Sequence, residues 1–350
     1  MTDPNEEVVC GHCETHGKKK PWYRSGLFLV SVLTLLLLGA SFFFPALEGF
    51  RASFTHYARM ILLPVAIGFL LGGLIDYYVA EEYISKHLAI PKKRTIFFSV
   101  GLGFLMSACC HGILAISMEV YKKGASGPAV VSFLLASPWA NLPITVLLFG
   151  LFGVKALLIV GGALLIALVT GLILQALQHY GQIETNPNSL AVEEDFSIRK
   201  DVARRFQNYR FTRETLAQDI RGVWQGVAGL ADMVLVWILV GMTLASLISA
   251  FVPSHIFHQY LGPTILGLFM TLGMATLIEV CSQGTAPLAF EIYRQTHAFG
   301  NAFAFLMAGV VTNFTEIALV WKNIGRRTAI WMVTLTLPQV ILLGWILNKI

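Results

Sequence analysis

The chain has 350 residues and a formal net charge of +5, with 56% hydrophobic and only 13% charged residues. Soluble domains contain roughly half apolar and a quarter charged residues, so this composition excludes an ordinary soluble domain and indicates an integral membrane protein. The chain has no Walker-type Gly-Lys-Ser/Thr loop, which excludes ATP hydrolysis of the P-loop kind. Its basic residues belong to the loops between apolar runs and do not indicate a nucleic-acid partner.

The polar N-terminal tail carries a short metal-ligand pattern, Cys10-Gly-His12-Cys13-Glu-Thr-His16. Two thiols and two imidazoles can hold a tetrahedral metal or pass a soft one along. The letters Cys-Gly-His-Cys also form the active-site motif of disulfide isomerases, but ten upstream residues cannot supply the thioredoxin domain that this activity needs. A tail that binds a soft metal and a tail without one are both open, and no other cofactor is expected.

Nine hydrophobic segments follow the tail, and each is long enough to enter or cross a bilayer. The tail is polar, and no small-residue cleavage site follows the first apolar run, so we expect no cleavable signal peptide. The segments lie at about 26–47, 60–80, 95–118, 128–151, 155–178, 226–251, 263–290, 301–321 and 328–348.

The most informative feature is an internal repeat, without a gap, at an offset of 172 residues. Matches of Cys, Glu, Tyr and Asn at one offset are much rarer by chance than matches of Leu or Ala. The matched pairs include Cys109/Cys281, Gly112/Gly284, Glu119/Glu291, Tyr121/Tyr293 and Asn141/Asn313. A duplicated membrane unit is typical of transporters, whose substrate sites lie where interrupted segments of the two repeats meet.

The distribution of lysine and arginine distinguishes two topologies. If every segment crosses the membrane, 12 basic residues lie on the N-terminal side and 13 on the other, so the positive-inside rule is silent. If 95–123 and 263–299 are re-entrant hairpins, 20 of the 25 basic residues gather on the N-terminal side, which is then cytoplasmic. We therefore predict hairpins with tips at Cys109–Gly112 and Cys281–Gly284, where Gly112 and Gly284 permit the turns. Ordinary kinked crossings are the alternative.

The predicted fold is an all-α integral membrane protein with two inverted repeats, each of three crossings and a re-entrant broken-helix hairpin, plus one extra N-terminal helix. The linker has apolar residues at helical spacing, including Val202, Phe206, Leu216 and Ile220, which suggests an amphipathic surface helix. We expect a prokaryotic inner (plasma) membrane with the N-terminus in the cytoplasm. The predicted units are a tail at 1–25, the extra helix at 26–47, repeat 1 at 57–178, the linker at 179–225 and repeat 2 at 226–350.

Three of the five cysteines fall at the predicted hairpin tips, at Cys109, Cys110 and Cys281. Soft thiolates select soft ions and metalloids such as Cu(I) and As(III) over hard cations. Two thiols from one hairpin and a third from the other would form a trigonal sulfur site, with His111 as a further ligand or proton acceptor. The alternative is that these cysteines are small hydrophobic side chains without a ligand role.

Acidic and amide residues supply the other candidates. Glu279 lies two residues before Cys281, and Glu316 lies in the break after Asn313. Ionisable groups inside a bilayer are costly, so both are candidates for proton coupling. Asn141 and Asn313 occupy a second break in each half, where they either satisfy the backbone, join helices or face the substrate path. For Glu119 and Glu291 the sequence favours a structural role at a hairpin end.

Three stretches carry a resemblance to a known family. They read Cys-Cys-His-Gly-Ile-Leu-Ala at 109–115, Tyr-Lys-Lys-Gly-Ala-Ser-Gly at 121–127, and Phe-Leu-Leu-Ala-Ser-Pro-Trp-Ala-Asn-Leu-Pro at 133–143, with second-half counterparts at 281–284 and 305–308. They resemble the predicted-permease family that includes the ArsP organoarsenical efflux permeases. The resemblance covers most of 60–348 and implies export of trivalent organoarsenicals or soft metals. Where that family has Cys-x-Cys-Gly, this chain has Cys109-Cys110-His111-Gly112.

The residues and the resemblance together predict an efflux permease for a thiol-reactive metal or metalloid species, and not an enzyme. Its expected partners are the lipid bilayer and a small inorganic or organometalloid substrate; the sequence does not indicate an oligomeric state. A rival hypothesis is a transmembrane thiol-disulfide electron conduit of the CcdA/DsbD kind, with Cys109 and Cys281 as the redox pair. A third is a permease for an unrelated solute, in which the cysteines are structural.

Overall fold

The computed structural model of the chain describes residues 26–78, 93–106, 110–187, 212–278 and 282–350. Every regular element within these ranges is helical. The helices of the first half are α1 (Gly26–Ala40), α2 (Glu48–Tyr78), α3 (Lys93–Leu105), α4 (Cys110–Lys122), α5 (Gly127–Ala140), α6 (Leu142–Phe152) and α7 (Ala156–His179). The helices of the second half are α8 (Arg213–Phe251), α9 (Ser254–Leu261), α10 (Ile265–Leu277), α11 (Ser282–Thr296), α12 (Phe299–Val311), α13 (Phe314–Asn323) and α14 (Arg326–Leu347).

The helices form a multi-pass membrane bundle, which confirms the all-α membrane prediction. Within the described ranges, four helices are long and apolar enough to cross a bilayer, or up to six if each of two bent helix pairs counts as one span. A helix satisfies its own backbone hydrogen bonds, which an apolar chain requires where no water is present. The 31 residues of α2 extend about 46 Å, more than the ~30 Å hydrocarbon core, so its ends reach the interface.

The repeat period found in the sequence recurs in the helix boundaries. Four consecutive helices of the second half begin 172 residues after four helices of the first half (265 − 93 = 172). These pairs of starting residues are Lys93/Ile265, Cys110/Ser282, Gly127/Phe299 and Leu142/Phe314. Equivalent positions in the two halves therefore begin the same kind of element.

Helices α5 and α12, which are equivalent in the repeat, form the centre of the bundle. Every residue of both helices is buried. In each half, three helices surround the central one: the two that precede it in the chain and the last helix of that half. These are α3, α4 and α7 around α5, and α10, α11 and α14 around α12. A helix that is apolar on all sides is stable only when neighbours cover all of its faces, which explains this arrangement.

In the first half, α3 and α5 run in the same direction. Near the start of both helices, Ile96 and Ser132 lie against Gly171 of α7, and near their ends Gly103 packs on Ala136. Since α4 connects the end of α3 to the start of α5, it runs antiparallel to both.

The second half has the same relation between α10 and α12. The Asn301 side chain at the start of α12 donates to Thr271 of α10 at 3.3 Å, and Thr276 further along α10 donates to Thr312 at 3.0 Å. Helix α11, which connects α10 to α12, therefore runs antiparallel to both.

The starts of α5 and α12 lie at opposite ends of α14. Gly127, the first residue of α5, lies against Ile324, just before α14 begins. Asn301, near the start of α12, accepts a hydrogen bond from the Asn348 side chain at 2.8 Å, just after α14 ends. Gly300 lies in contact with Gly344 at the same end of α14.

Two close contacts hold α2 and α8 to the rest of the bundle. Gly150 of α6 packs on Pro64 of α2, and Gly241 of α8 packs on the backbone of Gly284 in α11; a Cβ atom at either glycine would overlap its neighbour. The residue equivalent to Gly150 is Lys322 (150 + 172), and the residue equivalent to Gly241 is Phe69 (241 − 172). Each close contact is therefore specific to one half.

A short helix separates α8 from α10. Helix α9 makes an angle of 103° with α10, and its equivalent positions in the first half, 82–89, lie outside the described residues. It exposes Ile256 and Tyr260 and buries Phe257 and Leu261. This alternation lets α9 lie across the end of α10 and α11 with one face covered.

The segment after α7 clamps the start of α14. The Glu184 carboxylate accepts hydrogen bonds from the backbone N–H groups of Arg327 at 2.8 Å and Thr328 at 3.0 Å, and from the Thr328 hydroxyl at 2.9 Å. Asn186 donates to the carbonyl oxygens of Tyr121 at 2.6 Å and Ala125 at 2.7 Å. Partial burial opposes ionisation, but the hydrogen bonds to the carboxylate outweigh it and lower the pKa of Glu184.

We expect Glu184→Gln to reduce the free energy of unfolding by about 1 kcal/mol at pH 7, since it removes a charge-assisted cap. The folded-state pKa is lowered, so this stabilisation is complete above the unfolded value of 4.5 and is lost as pH falls through the folded value. Melting temperatures of the two proteins should therefore converge as the pH falls below 4.5. A difference that is the same at pH 7 and in acid would contradict the clamp.

Candidate transport site at the helix breaks

The predicted thiol site falls on the breaks between α3 and α4 and between α10 and α11. Helix α3 ends at Leu105 and α4 begins at Cys110. Helix α10 ends at Leu277 and α11 begins at Ser282. Cys109, Glu279 and Cys281 lie outside the described residues. Cys110 and His111 are the first two residues of α4, and their side chains are also outside the described part. The convergence of three thiols stays a prediction.

The structure corrects the role of the two predicted turn glycines. Gly112 and Gly284 are each the third residue of a helix, α4 and α11, so neither forms the turn. The carbonyl group of Gly284 lies against Gly241 of α8, an approach that the absence of a Cβ atom on Gly241 permits. Both predicted turn glycines therefore belong to the second helix of their pair.

Asn141 and Asn313 are the N-cap residues of two equivalent helices, α6 and α13. The Asn141 side-chain oxygen accepts a hydrogen bond from the Ile144 N–H at 2.9 Å, at the start of α6. The Asn313 oxygen accepts from the N–H groups of Thr315 at 2.8 Å and Glu316 at 3.3 Å, at the start of α13. Their amide oxygens thus cap helices inside the bundle, and a role in the substrate path stays a prediction.

Replacing either asparagine with alanine is expected to lower the free energy of unfolding by about 1 kcal/mol, because the first N–H groups of α6 or α13 lose their acceptor. Serine at the same positions retains an acceptor oxygen and should cost less. Thermal unfolding of the purified proteins in detergent measures both. Equal losses for Asn313→Ala and Asn313→Ser would show that the cap contributes nothing.

Glu316 is a buried acid within the bundle. Its residue is 2% exposed and lies in the first turn of α13, three residues after the capping Asn313. The N-terminal end of a helix carries partial positive charge, which favours a carboxylate there. This position agrees with the predicted break but does not test a role in proton coupling.

Glu291, an acid for which the sequence favours a structural role, accepts several side-chain hydrogen bonds. Glu291 of α11 is 1% exposed, and its carboxylate accepts hydrogen bonds from both Nε and Nη2 of Arg294, at 2.9 and 2.8 Å. The Tyr57 hydroxyl of α2 donates to the same carboxylate, as does Gln295 at 2.7 Å. Arg294 also donates to Ser249 of α8 at 2.7 Å.

A cavity of about 270 Å³ lies beside this acid, between the end of α8, α9 and the arms α10 and α11. Its walls are apolar apart from Glu291 and the Tyr260 hydroxyl. The lining residues are Ile248, Val252, Ile256, Phe257, Tyr260, Leu261, Met274, Ile278, Leu288, Glu291, Ile292 and Phe305. Ile278 immediately precedes the segment that carries Cys281, so the cavity approaches the second helix break.

The predicted metal ligands of the tail, Cys10, His12, Cys13 and His16, lie outside the described residues. Among the residues that are described, no group of three or more His, Cys, Asp or Glu side chains is close enough to hold a metal ion.

Sequence comparison assigns the chain to a family. It belongs to the ArsP_1 family of predicted permeases, whose model matches residues 46–349. The UPF0718 protein YcgR of Bacillus subtilis is 22% identical over 290 residues, which cover 81% of this chain and 92% of the relative. A putative two-component membrane permease complex subunit of Streptococcus mutans is 20% identical over 264 residues, or 74% of this chain and 81% of the relative.

A third relative, the putative permease Rv2963 of Mycobacterium tuberculosis, is 24% identical over 250 residues, or 67% of this chain and 60% of the relative. No solved structure matches the chain. The predicted family and the assignment as a membrane permease are thereby confirmed. The matched range begins at residue 46, so it excludes the Cys/His tail and α1.

Proposed function

We propose that the protein is a secondary efflux permease for a thiol-reactive metal or metalloid species, either a trivalent arsenical or a soft metal ion. The observation that carries the proposal is the placement of cysteines at equivalent helix breaks. Cys109 and Cys110 lie at the break between α3 and α4, and Cys281 lies 172 residues after Cys109 (109 + 172 = 281) at the break between α10 and α11. Thiolate ligands favour soft ions and metalloids.

The proposed architecture is a pair of inverted repeats, each with a re-entrant hairpin formed by α3–α4 or α10–α11. Two observations support it. Helices α4 and α11 each run antiparallel to the helices that flank them in sequence, as hairpin arms do. The starts of α5 and α12 lie at opposite ends of α14, as inversion requires. Such repeats give two related faces, from which a central site is reached alternately.

The proposed orientation places the start of α5 in the cytoplasm of a prokaryotic cell, at the plasma membrane. Lys122, Lys123, Arg326 and Arg327 belong to the same end of the bundle as this start. Positively charged loops favour the cytoplasmic side. In this orientation Glu279 and Glu316 would couple a proton to export, and the tail with Cys10 and Cys13 would collect a soft metal.

The test is cellular accumulation of As(III), methylarsenite, Cu, Zn, Cd and Hg. Cells express the wild type, a Cys109/Cys110/Cys281→Ser variant, or a Cys10/Cys13→Ser tail variant, at matched membrane levels. We expect several-fold lower accumulation of one soft species with the wild type, a smaller reduction with the tail variant, and no reduction with the triple variant.

Two results would overturn the proposal. Equal accumulation for all three proteins would remove the metal substrate, and retained efflux by the triple variant would remove the thiol site. In the first case, a Cys109–Cys281 disulfide detected by mass after alkylation would identify the electron conduit instead. Transport of an unrelated solute, unaffected by thiol blockers, would identify the third alternative.

A further inference from the structure

The cluster around Glu291 joins α11 to two long helices. The Tyr57 hydroxyl of α2 donates a hydrogen bond to Glu291, and Arg294 donates one to Ser249 of α8. The hydroxyl groups of Ser249 and Ser53 of α2 are also hydrogen-bonded, at 2.8 Å. The four residues Tyr57, Ser249, Glu291 and Arg294 are here called the latch. It lies near the end of α11, at the end of the bundle where α12 begins.

A buried carboxylate is an unusual choice for stability alone. Glu291 is 1% exposed, although its partner Arg294 is 40% exposed, and an apolar side chain of similar volume would avoid the cost of removing the carboxylate from water. Ionisable groups in the interior of a membrane protein therefore suggest a functional constraint. The pair itself lies within α11 and orients both side chains, while the bonds from Tyr57 to Glu291 and from Arg294 to Ser249 join α11 to α2 and α8.

The equivalent acid of the first half has no such cluster. Glu119 is exposed and pairs with Lys123 of its own helix at 3.0 Å. The positions equivalent to Tyr57 and Ser249 are Gly229 and Tyr77 (57 + 172 and 249 − 172), which cannot reproduce the contacts. Within the part of the chain that the structure describes, the latch therefore has no counterpart at the equivalent place of the first half.

Helix packing has the same asymmetry. Helix α11 packs against α8, α12, α9 and α6, whereas the principal neighbours of α4 are α5 and α13. Among the described residues, α10–α11 thus packs against more of the bundle at its outer end than α3–α4 does. The cavity beside Glu291 lies between α11 and the end of α8, so it supplies space next to the latch that a close-packed interior would not offer.

We propose that the latch is the gate of one end of the permease. When its hydrogen bonds are intact, the latch holds α11 against α2 and α8. When they break, the second helix break becomes exposed. The proposal rests on the alternating-access function proposed above. Glu291 and Arg294 act as positioning residues, since they hold the hairpin and do not contact the transported species.

The experiment measures access to α11 and needs no substrate. A reporter, Ile292→Cys, is placed in a background with all five native cysteines replaced by serine. Ile292 is buried and lines the cavity, and Val120 is its buried equivalent in the first half (292 − 172 = 120). A membrane-impermeant maleimide labels the Ile292→Cys reporter in intact spheroplasts and the Val120→Cys reporter in inside-out vesicles, so that each reporter faces the reagent in the proposed orientation.

We expect Tyr57→Phe and Glu291→Gln each to raise the labelling rate of the Ile292→Cys reporter several-fold. They should leave a Val120→Cys reporter unchanged. Glu119→Gln, the matched change in the first half, should leave both reporters unchanged. Tyr57→Phe keeps the aromatic ring against Phe290, so it decides the outcome if Glu291→Gln fails to insert.

An unchanged labelling rate of Ile292→Cys in both Tyr57→Phe and Glu291→Gln would overturn the proposal. An equal rise of that rate in the Glu119→Gln control would also overturn it, because it would show a general loosening of the bundle. The labelling assay involves no metal, so the two proposals can fail separately. If the labelling rates change as expected but no metal species is exported, the proposed substrate is wrong and the gate stands. If a metal species is exported but the labelling rates do not change, only the gate is wrong.

Discussion

Arg294→Ala should lower the free energy of unfolding by about 3 kcal/mol, because it leaves the Glu291 carboxylate buried without its cation. Arg294 makes two of the hydrogen bonds to that carboxylate and also joins α11 to Ser249 of α8. The lower end of the usual range applies because the Arg294 side chain is 40% exposed, so water can reach the site once it is removed. Thermal unfolding in detergent, followed by loss of helical circular dichroism, measures the change.

The control breaks the ion pair that Glu119, the equivalent acid, makes in the first half. Glu119 and Lys123 are each about half exposed, so Lys123→Ala should change the free energy of unfolding by only ~0.5 kcal/mol. Losses of similar size in the two variants would show that burial does not strengthen the Glu291 pair.

A second large effect is expected where α12 crosses α14. A Cβ atom at Gly300 would overlap the carbonyl oxygen of Gly344, and because that atom is backbone, the two helices must separate. Gly300→Ala should therefore lower the free energy of unfolding by about 3 kcal/mol, at the upper end of the cost of overpacking. Separation would also stretch the hydrogen bonds between Asn301 and Asn348.

Gly309, on the same helix, supplies the control. A Cβ atom there meets nothing within 4 Å, so Gly309→Ala should be neutral or should stabilise the helix by up to about 1 kcal/mol. Both variants are compared by thermal unfolding at matched detergent concentration. A Gly300 variant as stable as the Gly309 variant would contradict the crossing.

Long apolar runs and the 172-residue offset allowed most helices to be located from the sequence. Hydropathy found α7 and α14 within two residues of their ends, because both are apolar throughout. The breaks at Asn141 and Asn313 were also predicted, since proline or a polar cluster interrupts each run. These features depend on local composition, which a sequence contains in full.

Two helices could not be located from hydropathy. Helix α9 has only eight residues, and His255 and His258 make it polar enough to be taken for a loop. Helix α2 begins at Glu48, twelve residues before the apolar run, because Phe50, Phe54 and Tyr57 are buried while Thr55 and His56 between them are exposed.

The role of Glu291 could not be predicted because its partner is distant in the chain. Both halves have Glu followed two residues later by Tyr and then by Lys or Arg, so local sequence suggests the same role for Glu119 and Glu291. The difference comes from Tyr57, which is separated from Glu291 by 234 residues and has no equivalent tyrosine in the second half. Only the packing of α2 against α8 and α11 brings them together.

The two glycine contacts described above mean that the halves are no longer interchangeable parts. A chain made of two first halves would place a phenylalanine where Gly241 now admits the backbone of α11. A chain made of two second halves would have Lys322 and Val236 in place of Gly150 and Pro64 (64 + 172 = 236), so the contact between the glycine and the proline ring would be lost. Each half carries a glycine contact that a copy of the other half could not reproduce, so the pair resembles a heterodimer contained in a single polypeptide.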